Sequence, residues 1–391
     1  MKQVTDMNFP FSLSFFLDGA TGTELLKRGM KEGDCTERFI LENKEVFQQL
    51  QKEYIAAGAS ALLAPTFGAN LPTLLRHGFA EEAADDTVKA LVAVTKEIAG
   101  DTVKVGGDLS PTGLLIKPFG NTEPEEVIAI YKKEAKALLE AGVDFFFVET
   151  MISAAEAKLA VTAIRELSED IPVFVSLTVE KSGRTMSGDF PAAALLSLSA
   201  LNIAAFGCNC SVGPDVVLNA LTPAAPYAKA LGIPMSAKPN AGMPENGVYP
   251  VKPEALAAYR PAFEAIGAKL LGGCCGTTPD HIRAISSFES DPAEPVSLPE
   301  IPSLDALVST SRRIAEITDD TPVIPIGADS EDDILDLADE YDPDEALILE
   351  LSEGAAEVLI AQDAFLPNPY RLTGDENEIA AVERALCRKV R

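Results

Sequence analysis

A (β/α)8 barrel with a small α/β unit behind it is the fold class this sequence predicts, and three observations predict it. Short apolar or β-branched runs alternate with longer stretches of helical spacing, an alternation that means parallel strands joined by crossover helices. It supplies eight strand candidates in just under 300 residues, which suits a closed barrel better than an open doubly wound sheet. Polar, glycine-rich turns follow the strand runs, where a barrel of this kind assembles its chemistry.

The strand candidates are residues 14–17, 61–64, 103–107, 145–148, 172–177, 204–207, 234–237 and 269–271. Between them, residues 44–57, 81–99, 125–141, 154–168, 191–201, 214–230 and 253–266 carry amphipathic spacing. Ser153 ahead of Glu156 reads as a capping box, and Ala57-Gly58, Ala141-Gly142 and Leu231-Gly232 read as helix ends. Residues 8–17 are too short and too poorly flanked by positive charge for a signal peptide and read as the first strand, ended by Asp18.

Past Ser290 the texture changes. Pro292, Pro295, Pro299 and Pro302 predict a linker over 291–302, separating a barrel of residues 1–290 from an acidic unit of residues 303–391. From Ile301 to the end, 22 Asp and Glu stand against 7 Lys and Arg. Residues 322–327 and 346–351 nonetheless read as strands, and 331–341 and 376–390 as helices, so the segment is expected to fold.

Composition narrows the function. A content of 47% hydrophobic and 24% charged residues is that of a soluble globular protein, and no apolar run approaches the roughly 18 residues of a membrane span. A formal charge of −28 argues against nucleic acid as a partner, because phosphate binding needs clustered Lys and Arg. Such a surface serves solubility, or docking to a basic partner. Six cysteines are too few for a disulfide scaffold, and their turn positions suit metal better, so a reducing cytoplasm is expected.

Two stretches carry the chemistry. Gly272-Gly273-Cys274-Cys275-Gly276-Thr277 follows the last strand run, and Cys208 in Phe206-Gly207-Cys208-Asn209-Cys210 follows the sixth. Either could be buried free thiols. Three thiolates from the ends of two strands would instead make a Zn2+ site with its fourth position open, the mark of a catalytic rather than a closed structural site. Hydrolytic barrels bind metal through His and carboxylates, whereas His77 and His281 both lie away from strand ends. A metallohydrolase is thereby disfavoured. The turn Asp18-Gly19-Ala20-Thr21-Gly22-Thr23 opens a helix whose amides suit a carboxylate, or is a plain capped turn. Glu149 suits an ammonium group, or is a carboxylate favoured by a helix dipole. Together they frame an α-amino acid whose thiol reaches zinc.

The stretches Asp18-Gly19-Ala20-Thr21-Gly22-Thr23-Glu24, Pro65-Thr66-Phe67-Gly68-Ala69-Asn70, Asn209-Cys210-Ser211-Val212-Gly213-Pro214, Ala237-Lys238-Pro239-Asn240-Ala241-Gly242 and Gly272 to Thr277 resemble the homocysteine S-methyltransferase family. They are most similar to the homocysteine-binding barrel of cobalamin-dependent methionine synthases. The resemblance covers about residues 10–290. It implies zinc on Cys208, Cys274 and Cys275, with homocysteine as the substrate ligated through sulfur. It further implies Asp18 and Glu149 on the amino group, main-chain amides near Ala20, Thr21 and Gly22 on the carboxylate, and Asn240 near the metal. Cys210, Cys35 and Cys387 match no ligand position in this reading.

No Asp-x-His-x-x-Gly cobalamin motif is present: Leu75 lies two residues before His77, and Pro279 two before His281. Nor is there room after Ser290 for complete folate and cobalamin domains. The expected activity is therefore methyl transfer to homocysteine from a donor supplied in trans. A methylated corrinoid (cobalamin) protein is preferred, with betaine or S-methylmethionine next. A non-catalytic thiol-binding or docking subunit is the reading from another class.

Overall fold

The computed structural model describes residues 15–117, 119–210, 212–289, 297–363 and 366–385. Eight parallel strands, β1 (Phe15–Phe16), β2 (Ala61–Leu63), β3 (Lys104–Leu109), β4 (Phe145–Met151), β5 (Val173–Leu177), β6 (Ala205–Asn209), β7 (Met235–Lys238) and β8 (Ala268–Leu271), pair in the order β1-β8-β7-β6-β5-β4-β3-β2. Among the described residues β1 and β2 alone lack a ladder between them, and single bonds close that seam. Ser60 N–H donates to Phe16 O at 2.7 Å, and Leu63 N–H donates to the Asp18 carboxylate at 2.9 Å. The (β/α)8 barrel expected from the alternation is thus the observed fold.

Strand side chains alternate between two cores, as a period of two requires. Phe15, Leu17, Ala61, Leu63, Phe145, Phe147, Phe174, Ala205 and Leu270 fill the barrel interior. Leu62, Val105, Phe146, Val148, Val173, Val175, Phe206 and Met235 join the apolar shell between strands and helices. Phe145, Phe146, Phe147, Phe174 and Phe206 are all fully buried, each worth about 1.5–3 kcal/mol relative to exposure. The same parity aims Asp108, Glu149 and Lys238 inward at the C-terminal ends of β3, β4 and β7.

The helices differ from expectation where proline or a stronger partner intervenes. The stretch 214–230 is not one helix: Pro214–Leu221, a 3-10 turn over Thr222–Ala224 and Ala225–Leu231 follow one another, with Pro223 and Pro226 at the joints. The stretch 253–266 divides likewise into Pro253–Ala257 and Arg260–Ala265 beside Pro261, since proline removes an intrahelical donor. The helix that the Asp18-to-Thr23 turn was expected to open forms over Gly22–Lys27, and Thr36–Glu42 is a short helix outside the amphipathic stretches. The capping box at Ser153 does not form. Glu156 Oε1 instead accepts from Thr112 N–H at 2.8 Å, Thr112 Oγ1 at 2.7 Å and the Tyr131 hydroxyl at 3.0 Å. A capping box exists at Thr278 and His281, and His281 Nε2 lies 2.9 Å from Val251 O.

After the barrel, β9 (Leu307–Ser309) and β10 (Ile314–Glu316) form an antiparallel hairpin, and β11 (Val323–Ile326), β12 (Leu347–Leu351) and β13 (Tyr370–Gly374) a parallel sheet. Helices Glu331–Glu340, Ala355–Gln362 and Glu376–Ala385 accompany that sheet. Its core, including Ile326, Ile334, Leu349, Leu359, Leu372 and Val382, shares no residue with the barrel's. The hairpin meets the loop after β5, with Phe190 N–H donating to Ser311 O at 2.9 Å and Arg312 to Ser187 O at 2.8 Å. The hairpin, β13 and the helix Ala355–Gln362 were not anticipated. Of the expected linker, residues 291–296 lie outside the described residues, as do 386–390 of the expected last helix.

Candidate active site

Three sulfurs meet where β6 and β8 end. Those of Cys210, Cys274 and Cys275 lie within 4.8 Å of one another, with Cys210 and Cys275 3.9 Å apart. The turns hold them through main-chain bonds: Cys210 N–H donates to Lys238 O at 3.1 Å, Cys274 N–H to Pro239 O at 2.9 Å, and Ala241 N–H to Cys275 O at 3.0 Å. Glycine is required beside the pair. A Cβ on Gly273 would stand 2.3 Å from Thr277 Oγ1, and one on Gly276, at φ +79°, 2.0 Å from the Tyr249 ring.

Cys208, expected as the third ligand, is not in the group. It shares parity with Phe206, so its side chain joins the shell beneath the helices, fully buried, where burial pushes its thiol up to about 12. Cys210, read as a spectator, takes its place. A continued strand would send residue 210 outward as well, but its φ of +60° breaks the alternation. Cys387 lies outside the described residues. Cys35 approaches Glu37 Oε2 at 3.3 Å, apart from the cluster. Within the cluster, the thiols of Cys274 and Cys275 are shifted upward. Hydrogen bonding to Cys210 and then Cys275, followed by burial, raises Cys274 well above the usual range, and hydrogen bonding to Cys210 leads in raising Cys275 to about 11.

Beside the sulfurs lie four buried ionisable groups, Asp18, Asp108, Glu149 and Lys238. Lys238 Nζ stands 2.6 Å from Glu149 Oε2 and 4.8 Å from the centroid of the Phe147 ring. Burial alone would lower the lysine's pKa, but Glu149, then Asp18 and Asp108, raise it. Burial pushes Asp18 up to about 7 against the attraction of Lys238. Burial, then Glu149, holds Asp108 well above the carboxylate range, and its Oδ1 finds no hydrogen-bond partner among the described residues. Just past Val148, where Glu149 still follows the inward parity of Phe145 and Phe147, the register of β4 against β5 shifts before Met151. Thr150 there has φ +58°, a costly conformation for a β-branched residue, and Asn209 clamps it by accepting from its N–H at 2.9 Å and donating to its Oγ1 at 2.7 Å.

The remaining expected contacts divide. Ala20 N–H is already donated to Thr277 Oγ1 at 3.1 Å, so that amide is engaged, whereas a Cβ on Gly22 would meet nothing within 4 Å. Thr21 is the N-cap of the helix Gly22–Lys27. Asn240 is buried, and its Oδ1 lacks a partner among the described residues. Sequence reasoning passed over Cys210, Asp108 and Lys238, although strand-end position marked all three and strand parity separates Cys208 from the mouth.

A parallel barrel whose catalytic end carries three thiols beside buried carboxylates is, as a class, a barrel equipped to hold a thiophilic metal near a charged small molecule. The comparisons make that class specific. A family model for homocysteine S-methyltransferase matches residues 15–288. Methionine synthases from Mycobacterium leprae (strain TN) and Mycobacterium tuberculosis (strain ATCC 25618 / H37Rv) are 33% and 32% identical over 291 residues, 69% of this chain. The chain spans 24% of the length of each. The crystal structure of the homocysteine methyltransferase MmuM from Escherichia coli, metallated form, superposes with a TM-score of 0.61 at 23% identity, covering 73% of this chain and 99% of that one. The chain belongs to the homocysteine S-methyltransferase family.

Proposed function

We propose that the protein transfers a methyl group to the sulfur of homocysteine, giving methionine, with zinc held by Cys210, Cys274 and Cys275. One observation carries this reading: three sulfurs converge within 4.8 Å at the catalytic end of a barrel of this family. The donor set fits the ion, since zinc favours thiolates and three protein ligands leave a position open. The buried acceptor on Asn240, in the turn that binds Cys275, also suits a polar occupant. When bound, the ion supplies Lewis acidity that keeps an incoming thiol deprotonated at neutral pH.

The chain's own residues bind and orient. The carboxylates of Asp18 and Glu149 favour the substrate ammonium, and the amides of Thr21 and Gly22 its carboxylate. The homocysteine thiolate then attacks in line: the sulfur–carbon bond forms as the bond from methyl to donor breaks, and orientation supplies much of the rate. A methylated corrinoid protein in trans is the donor we favour, because the relatives above are methionine synthases. Betaine or S-methylmethionine is the second choice. Among the described residues no helix is long and apolar enough to cross a membrane.

The test combines metal analysis with a donor screen. Purified anaerobically, the protein should carry about one zinc per chain and form methionine from homocysteine with a methylated corrinoid protein. Turnover with betaine or S-methylmethionine alone replaces the corrinoid donor. Zinc absent from the wild type favours a thiol-binding docking subunit.

A further inference from the structure

Resting on the reading above, the amine subsite contains a feature the family resemblance does not supply. The ammonium expected on Glu149 is already there, and it belongs to the protein. Lys238 ends β7, crosses the mouth over Gly272, where a Cβ would stand 3.2 Å from Lys238 Cγ, and reaches Glu149 on β4 at 2.6 Å. Its side chain is 3% exposed and that of Glu149 8%, so the pair is withdrawn from solvent and its attraction is little screened. An incoming substrate ammonium therefore meets a like charge in a low-dielectric pocket, which disfavours it unless further carboxylates compensate.

Asp108 is the compensating group. It faces inward from β3, is buried to 6% exposure, and its Oδ1 has no hydrogen-bond partner among the described residues. Thr66 engages only its backbone, Oγ1 donating to Asp108 O at 2.9 Å and accepting from its N–H at 3.0 Å. Asp18 is committed on one side, its Oδ2 accepting from Leu63. A buried carboxyl oxygen without a donor costs free energy until one arrives.

We propose that Lys238 and Asp108 are a charge-compensated pair that sets substrate specificity: Lys238 is a resident cation occupying Glu149, and Asp108 is the extra carboxylate that lets the subsite accept one more ammonium, that of an α-amino-acid thiol. Lys238 is a positioning residue in this scheme, and Asp108 a binding residue.

The test compares two thiols on the zinc-loaded full chain by calorimetry, with no methyl donor present: homocysteine, and 4-mercaptobutanoate, which lacks only the amino group. Wild type should prefer homocysteine. Asp108→Asn should reduce that preference at least tenfold by weakening homocysteine alone, with zinc content and 4-mercaptobutanoate binding unchanged. Lys238→Met added to Asp108→Asn removes one charge of each sign and should restore most of the preference. A preference unchanged in Asp108→Asn, or a double variant no better than the single, overturns the pair. If the wild type binds homocysteine and 4-mercaptobutanoate equally, the amine subsite is wrong while thiol binding stands. If it binds neither, the proposed function fails and the pair fails with it.

Discussion

Cys208 and Cys210 are two residues apart and have opposite fates, and the difference is a matter of backbone. Cys208 sits inside β6 and obeys strand parity, so it packs outward; Cys210 follows the strand at φ +60° and reaches the other two sulfurs. Cys210→Ser is therefore expected to reduce zinc to well below one per chain, while Cys208→Ser keeps the metal. Cys208→Ser should instead lose about 1–3 kcal/mol of stability, because it buries a hydroxyl in an apolar shell. Metal analysis and denaturant unfolding of the two variants decide it, and zinc loss in Cys208→Ser alone would reverse the assignment. The sequence showed that thiols cluster at strand ends. It did not show which thiol, because the answer turns on a left-handed φ that no spacing rule announces. Lys238 and Asp108 were hidden for another reason: partnership across the mouth between strands far apart in the chain is set by barrel closure.

Among the elements, β4 and the β1–β2 seam place the carboxylates. The register shift in β4 depends on Thr150 at φ +58°, a conformation costing about 1–3 kcal/mol, so the clamp from Asn209 is required to hold it. Asn209→Ala should destabilise the protein by that order and raise the KM for homocysteine. Thr150→Gly in the same background should recover stability, since glycine adopts positive φ without strain. No recovery in the double variant would place the role of Asn209 elsewhere.

At the seam, Asp18 stands in for a missing ladder bond by accepting from Leu63 N–H, and burial lifts its pKa from 3.8 to about 7. A carboxyl raised in the folded state gives stability below its unfolded pKa and loses it as pH climbs to the folded one. That loss is on the order of 4 kcal/mol across the window at about 1.4 kcal/mol per pH unit. Asp18→Asn keeps an acceptor for Leu63 and has no proton to lose. Its stability relative to wild type should grow between pH 5 and 8, and parallel curves would show that Asp18 does not titrate there. The strand runs themselves were legible, since a parallel barrel buries both strand faces and writes them as continuous apolar runs. The seam was not, because one carboxylate replaces a ladder there.

Across the whole molecule, charge is the dominant imbalance. The chain carries −28, and its last 91 residues hold 22 acidic against 7 basic groups around a small core of their own. Pairing relieves little of this: Arg313 with Asp344 at 3.0 Å joins the hairpin strand region to the acidic unit, and the aspartate side chain there is 83% exposed, a setting in which ion pairs contribute little. Self-repulsion of a like-charged unit falls as salt shortens the screening length from about 30 Å at 0.01 M to about 8 Å at 0.15 M. The barrel holds a larger apolar core and a less one-sided charge, so it should respond less. Raising NaCl over that range is expected to slow amide exchange in β11, β12 and β13 by a larger factor than in β4 and β5, and to raise the Tm of any separate C-terminal transition. Exchange that slows equally in both sheets would mean that the acidic unit draws its stability from the barrel through the hairpin contact at Phe190 and Ser311 rather than from its own core.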